Sequence, residues 1–122
     1  MITHLTEALT ELKESLDGDL FFDDLHKTLY ATDASVYRQI PAGVAFPKSE
    51  QDIQQLILFA EKNKIGLIPR TAGTSLAGQC VGDGLVVDVS KYFTEIISLD
   101  VQNKTVTVQP GVIRDELNRY LE

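Results

Sequence analysis

Pro69-Arg70-Thr71-Ala72-Gly73-Thr74-Ser75-Leu76-Ala77-Gly78-Gln79 follows one apolar run, Ile65 to Ile68, and precedes another, Leu85 to Val89. Between the runs, Arg70 to Gly84 holds four glycines (Gly73, Gly78, Gly82 and Gly84) and few large apolar groups. Small side chains let a ligand approach the backbone, and Gly73 and Gly78 can reach conformations closed to other residues. Successive amides in such a turn make an anion-binding nest, to which Thr74 and Ser75 add hydroxyl donors. Arg70 supplies positive charge or a structural hydrogen bond. The competing reading is a surface loop that needs glycines for its path.

Neither familiar nucleotide motif fits. A P-loop needs Gly-Lys before its Ser or Thr, whereas Ser75 here leads into Leu76-Ala77-Gly78-Gln79. The dinucleotide fingerprint needs three glycines at fixed spacing between a strand and a helix. This loop instead reaches another strand, so an anion held here rests chiefly on backbone amides.

Upstream, Val44 to Phe46 reads as a short strand closed by Pro47. Ser49 caps a helix from Glu50, with Asp52 placed as in a capping box. Ile53, Leu56, Ile57 and Ala60 form its expected buried stripe, and Lys62 and Lys64 suit its C-terminal end. Ile65 to Ile68 follows as a strand stopped by Pro69, which completes a β-α-β unit. Ala31 to Ile40 breaks the periodicity, and Pro41 with Gly43 marks a turn.

The N-terminal stretch is different. Leu5, Leu9, Leu12 and Leu16 recur at helical spacing, with Thr3 or Thr6 as cap and Gly18 as terminator. A second helix is expected from Phe21 to Tyr30, with Phe22, Leu25 and Leu29 on one side. Residues 1–30 are therefore expected to form a helical extension. Residues 1–24 carry seven of the 18 acids and one base, Lys13. That acidic face is read as solvated, with docking of a basic partner as the lesser alternative.

Downstream, Glu95 to Leu99 and Thr105 to Val108 read as a hairpin whose turn uses Asn103 in a left-handed conformation. Pro110-Gly111-Val112 then leads into a helix holding Val112, Ile113, Leu117 and Leu121. Pro110 stiffens the strand exit, and Gly111 permits close approach by something flat or by another chain segment. That helical pattern still runs at Glu122, so a piece of a longer protein is expected. The fold class is α/β (α+β), a small mixed sheet covered by helices at 50–62 and 112–121.

Composition excludes several functions. With 122 residues and a formal net charge of −7, the chain is a single acidic domain without the basic face nucleic acid requires. No apolar run reaches the roughly 18 residues of a membrane span. The N-terminus lacks the basic and apolar stretches of a signal peptide, so a cytoplasmic protein is expected, at most peripheral to a membrane. His4 and His26 are the only histidines and lie in the helical stretch. Ser75 has no His and Asp companions for a triad. Cys80 is alone, as inert loop cysteines are. Asp83, Asp88 and Asp100 offer a cation site on paper, but their separation and strand context favour solvation or local turn bonding.

Three stretches together carry a resemblance: Pro69 to Gln79, Gly82 to Ser90, and Val108-Gln109-Pro110-Gly111-Val112. They resemble the first half of the FAD-binding domain of FAD-linked oxidases, also called the vanillyl-alcohol oxidase or PCMH-type family. The nearest branch is that of glycolate oxidase and D-lactate dehydrogenase. Pro47-Lys48-Ser49-Glu50 is similar to the family's strand-to-helix opening, so the likeness spans roughly residues 30–122.

The resemblance implies that Arg70, Thr71, Ala72, Gly73, Thr74, Ser75, Leu76, Gly78 and Gln79 wrap the FAD pyrophosphate. It sets Pro110, Gly111 and Val112 against the flavin side of the cofactor. Thr71 and Ala72 replace the first two glycines of the commoner loop. No histidine stands in the loop, which implies non-covalent FAD. Residues 31–122 then form the first subdomain of the FAD-binding domain, truncated at the C-terminus. Substrate residues, the electron acceptor and any iron-sulfur cluster are expected outside it, and self-association of the exposed half is expected. The implied activity is oxidation of a 2-hydroxy acid such as D-lactate or glycolate. The alternatives are oxidation of another alcohol or a sugar lactone, and a non-enzymatic interaction module.

Overall fold

The computed structural model describes residues 2–122, with side chains from His4 onward. Helix α1 (Ile2–Ser15) buries Leu9 and Leu12, with Leu16 just beyond its end. The helix already runs from Ile2, so Thr6 lies inside it rather than at its cap; the Thr3 side chain is outside the described residues. Strand β1 (Asp19–Phe21) follows and corrects the expectation of helix from Phe21. Helix α2 is only Asp24–Leu29, capped by the Asp23 carboxylate, which accepts from the His26 amide at 3.1 Å. Its expected apolar side is not buried: Leu25 and Leu29 are both exposed.

Strand β2 (Gly43–Phe46), helix α3 (Glu50–Asn63), strand β3 (Leu67–Arg70) and strand β4 (Leu85–Asp88) complete the main sheet. Its order is β1-β2-β4-β3, with β1 antiparallel to β2 and the other pairs parallel. Strand β4 therefore enters between the two strands of the β-α-β unit. Its four residues are all buried, as a central parallel strand covered on both faces requires. Leu85 and Val87 pack with Leu9, Leu12, Leu20, Ala45, Leu56 and Phe59 beneath α1 and α3. On the other face Phe46 meets the rings of Phe21 and Tyr30 edge-on, each at 5.9 Å. Pro69 does not stop β3. It lies within the strand, which an edge strand tolerates because one side of its backbone needs no partner.

The Ser49 cap is present, its hydroxyl accepting from the Asp52 amide at 3.2 Å. The Asp52 carboxylate does not return to the cap. It is buried and accepts from the amides of Asp17, Gly18 and Lys48 at 2.8–2.9 Å. One charged group thus ties the exits of α1 and β2 to the start of α3, where the helix dipole favours it. The buried side of α3 is Leu56, Phe59 and Ala60; Ile57, expected inside, is exposed.

Strands β5 (Ile96–Asp100) and β6 (Thr105–Val108) form a separate antiparallel hairpin. Lys104, not Asn103, takes the left-handed backbone, at φ 54°. Asn103 acts through hydrogen bonds, its amide and side chain both donating to the Asp100 carboxylate. Helix α4 (Arg114–Leu121) buries no residue, so the sheet's cover is α1 and α3 rather than 112–121.

Candidate functional site

Parallel strands β3 and β4 end together, with Arg70 opposite Asp88. Ligands of parallel sheets bind outside such carboxyl ends, where the following loops diverge. Here a hollow of about 470 Å³ is lined by Thr71, Ala72, Ser90, Thr94, Pro110, Gly111, Val112, Ile113, Arg114 and Glu116. The two separately read motifs thus meet on one concavity. A second hollow of about 330 Å³, between α1 and α3, contains none of their residues.

Of the residues singled out in the sequence, Thr71, Ala72, Pro110, Gly111 and Val112 line the hollow. Arg70, Gly73, Thr74, Ser75, Leu76, Gly78 and Gln79 do not. Arg70 is committed elsewhere: its guanidinium donates to the Thr32 carbonyl at 2.8 Å and lies 4.9 Å from the Tyr30 ring centre. Gly73 and Gly78 both have positive φ, 69° and 74°, and a Cβ on either would strike a side chain, Arg70 or Tyr37 respectively. The Ser75 hydroxyl accepts from the amides of Ala77 and Gln79 and donates to the Gln79 side chain at 2.9 Å. Its role is to shape the loop. Among the described residues, no acceptor takes the amides of Thr71 to Leu76 or of Gly78.

Sequence reasoning missed what backs the loop. Residues 31–37 lie along it, with the Ala34 amide donating to the Gly73 carbonyl at 3.1 Å. The Asp33 carboxylate accepts from the Cys80 amide at 3.4 Å, and hydrogen bonding to Ser35 holds its pKa below the usual range. Asp88 makes the local turn bonding expected of it and one distant bond that was not expected. It is 4% exposed and accepts from the Tyr30 hydroxyl at 2.6 Å, the Ser90 hydroxyl at 2.6 Å and the Ser90 amide at 2.8 Å. Burial, and then that carboxylate, push the Tyr30 phenol well above its usual range, so it stays a donor. The Asp-x-Ser spacing at a strand exit is the signal that could have found this turn.

Gly111 needs a correction. Its amide donates to the Phe93 carbonyl at 2.7 Å, and a Cβ would lie 2.5 Å from that oxygen and 2.7 Å from the Val89 oxygen. The missing side chain therefore makes room for backbone, the second of the two uses expected of it, rather than for a ligand. Among the described residues, no group of three His, Cys, Asp or Glu could hold a metal ion. None of their helices is long and apolar enough to cross a membrane.

Comparison with known proteins agrees with this geometry. The chain is 36% identical over 123 residues to D-2-hydroxyglutarate dehydrogenase of Haemophilus influenzae, covering 98% of this chain and 12% of that one. It is 35% identical over 127 residues to the mitochondrial D-lactate dehydrogenase (cytochrome) of Kluyveromyces lactis, covering 94% and 22%. In fold it is similar to p-cresol methylhydroxylase with substrate bound, at a TM-score of 0.83 and 16% identity, covering 98% and 24%. The chain thus spans a small part of the length of these relatives. The family model described as an FAD binding domain matches residues 41–122, well over half of the sequence and both walls of the hollow, and the chain belongs to that family.

Proposed function

We propose that this chain supplies the pyrophosphate-holding half of a non-covalent FAD site in a dehydrogenase of 2-hydroxy acids. Residues 31–122 form that half, and residues 1–30 are an extension packed into its core. The observation that carries the reading is the row of unpartnered amides from Thr71 to Leu76 beside a hollow shared with Pro110, Gly111 and Val112. Free amides in a tight turn call for an anion, and the small residues Thr71 and Ala72 leave the backbone accessible to one. The residues present fit the cofactor on that ground.

FAD, when bound, supplies the acceptor for the electron pair removed from the substrate. This chain's residues bind and orient. The amides of Thr71 to Leu76 hold the pyrophosphate, with the Thr74 hydroxyl as a further donor. Arg70, Gly73, Ser75, Gly78 and Gln79 keep the loop in shape, and Pro110, Gly111 and Val112 form the second wall. No catalytic base is nominated among them. The substrate residues and any iron-sulfur cluster belong to the rest of the protein, an external acceptor reoxidises the flavin, the whole protein is cytoplasmic or peripheral to a membrane, and the exposed half supplied by this chain self-associates. Likeness over nearly the whole chain to dehydrogenases named for D-2-hydroxyglutarate and D-lactate supports this substrate class.

The test is anaerobic addition of D-lactate, glycolate or D-2-hydroxyglutarate to the full-length protein while following flavin absorbance. Bleaching by at least one of them is expected, and acid precipitation should release the flavin into the supernatant. A protein that carries no flavin, or whose flavin none of these acids reduces, overturns the reading.

A further inference from the structure

Three hydroxyl side chains line the hollow, those of Thr71, Ser90 and Thr94. Only the Ser90 hydroxyl is committed among them. It donates to the Asp88 carboxylate at 2.6 Å, and the Ser90 amide donates to the same oxygen at 2.8 Å. The second carboxylate oxygen takes the Tyr30 hydroxyl at 2.6 Å. An ionised carboxylate can only accept, and a hydroxyl carries one proton and two lone pairs. Ser90 has therefore spent both of its donors on Asp88. What it retains toward a ligand is acceptor capacity alone.

Resting on the FAD reading above, we infer that the hollow presents groups of opposite hydrogen-bonding sense: amide donors where the loop enters it at Thr71 and Ala72, and an acceptor, the Ser90 hydroxyl, whose proton Asp88 holds. The loop takes the anionic part of the cofactor. Ser90 takes one of its hydroxyl or N–H groups and disfavours any anionic oxygen, because two acceptors without a proton between them repel. Asp88 and Tyr30 act through Ser90 and are positioning residues. Tyr30 follows α2, so the N-terminal part of the chain reaches the site through this carboxylate.

The discriminating experiment measures calorimetric affinity of the full-length apoprotein for FAD and, separately, for inorganic pyrophosphate. Ser90→Ala removes the acceptor from a half-buried position and should weaken FAD about tenfold, the scale of one hydrogen bond. Pyrophosphate, which offers anionic oxygens to the loop's amides and lacks the sugar and ring donors of FAD, should bind Ser90→Ala as well as wild type. Ser90→Thr keeps the hydroxyl and should restore FAD affinity to within about twofold. Asp88→Ala removes both carboxylate oxygens and so frees the serine proton, and FAD should weaken while pyrophosphate does not. Should Asp88→Ala fail to fold, the two Ser90 variants still decide. Equal FAD affinity in wild type and Ser90→Ala overturns the acceptor role and leaves the functional reading intact. Equal weakening of FAD and pyrophosphate by Ser90→Ala overturns it too, since that is the mark of general damage. A wild-type protein that binds pyrophosphate but not FAD overturns both.

Discussion

The main sheet and the hairpin with α4 both carry apolar stripes, and the stripes meet opposite fates. In the sheet, Leu20, Val44, Ala45, Leu85 and Val86 are fully buried. In the later region Ile97, Leu99, Val101, Ile113, Tyr120 and Leu121 are all exposed, Val101 to 75%. The difference lies in what each face meets. The sheet is closed by α1 and α3 on one side and by the aromatic rings of Phe21, Tyr30 and Phe46 on the other. The hairpin has its own ladder and little else. The Gln109 amide on the Glu95 carbonyl extends that ladder, and the Gly111 amide on the Phe93 carbonyl carries it to the turn that follows β4. An apolar stripe in a sequence thus marks a face, while burial depends on segments distant in the chain.

The most direct way to break that comparison is a matched pair of truncations. Leu85→Ala empties a site at 0% exposure in the central strand and should cost about 2–5 kcal/mol. Leu99→Ala, at 44% exposure in the hairpin, should cost less than about 1 kcal/mol. Urea denaturation of both variants reads the difference directly. Similar losses would mean that the hairpin is as firmly packed as the sheet.

A smaller effect is expected where the two regions meet. Gly111→Val sets a side chain against the backbone oxygens of Phe93 and Val89, which side-chain rotation cannot relieve. Overpacking of that kind costs about 1–3 kcal/mol. Gly66→Ala is the control, because a Cβ there meets nothing within 4 Å. Thermal unfolding without added FAD should therefore fall for Gly111→Val and hold for Gly66→Ala. An unchanged melting temperature in Gly111→Val would return that glycine to the role of clearing space for the cofactor.

The same contrast explains what could be read in advance. The Ser49 cap, the run Leu85 to Val89 and the pairing of the glycine-rich loop with Pro110-Gly111 are local patterns, and each is present. Strand β1 is three residues long, too short to establish a period of two. On α3, Ile53 and Ile57 matched the helical period as well as Phe59 did, and only the position of α1 decided which side was buried. Expecting α4 to cover the sheet failed for the related reason that amphipathicity does not name a partner. At the site, the free amides follow from the loop's composition. The Thr32 carbonyl that holds Arg70 is 38 residues away, and the Tyr30 hydroxyl is 58 residues from Asp88. No spacing rule reaches that far.

The smallest effect expected concerns a second link between the regions, from Asp19 in β1 to the turn before the hairpin. The Asp19 carboxylate accepts from the Tyr92 hydroxyl at 2.8 Å and from the Lys91 ammonium at 3.2 Å. The Tyr92 hydrogen bond is the main reason its pKa lies below the usual carboxylate value; burial opposes it, and Lys91 adds to it. A carboxyl depressed in the folded state contributes stability that is complete above its unfolded pKa, about 4. As pH falls below that value the unfolded chain takes up the proton first, and the contribution drains away until the folded pKa is passed. Lys91 has the opposite sign: hydrogen bonding to Tyr92, then to Asp19, raises its pKa, so its share is present below the unfolded value and lost at high pH. Tyr92→Phe removes the leading cause of both shifts. Urea midpoints followed from about pH 6 to about pH 3 should fall less steeply in Tyr92→Phe than in wild type. The change in slope is the smallest of the three effects because solvent screens a pair this exposed. Identical acid slopes would mean that Asp19 gains nothing from this link, leaving the backbone bond from Gly111 to Phe93 to join the hairpin to the turn after β4.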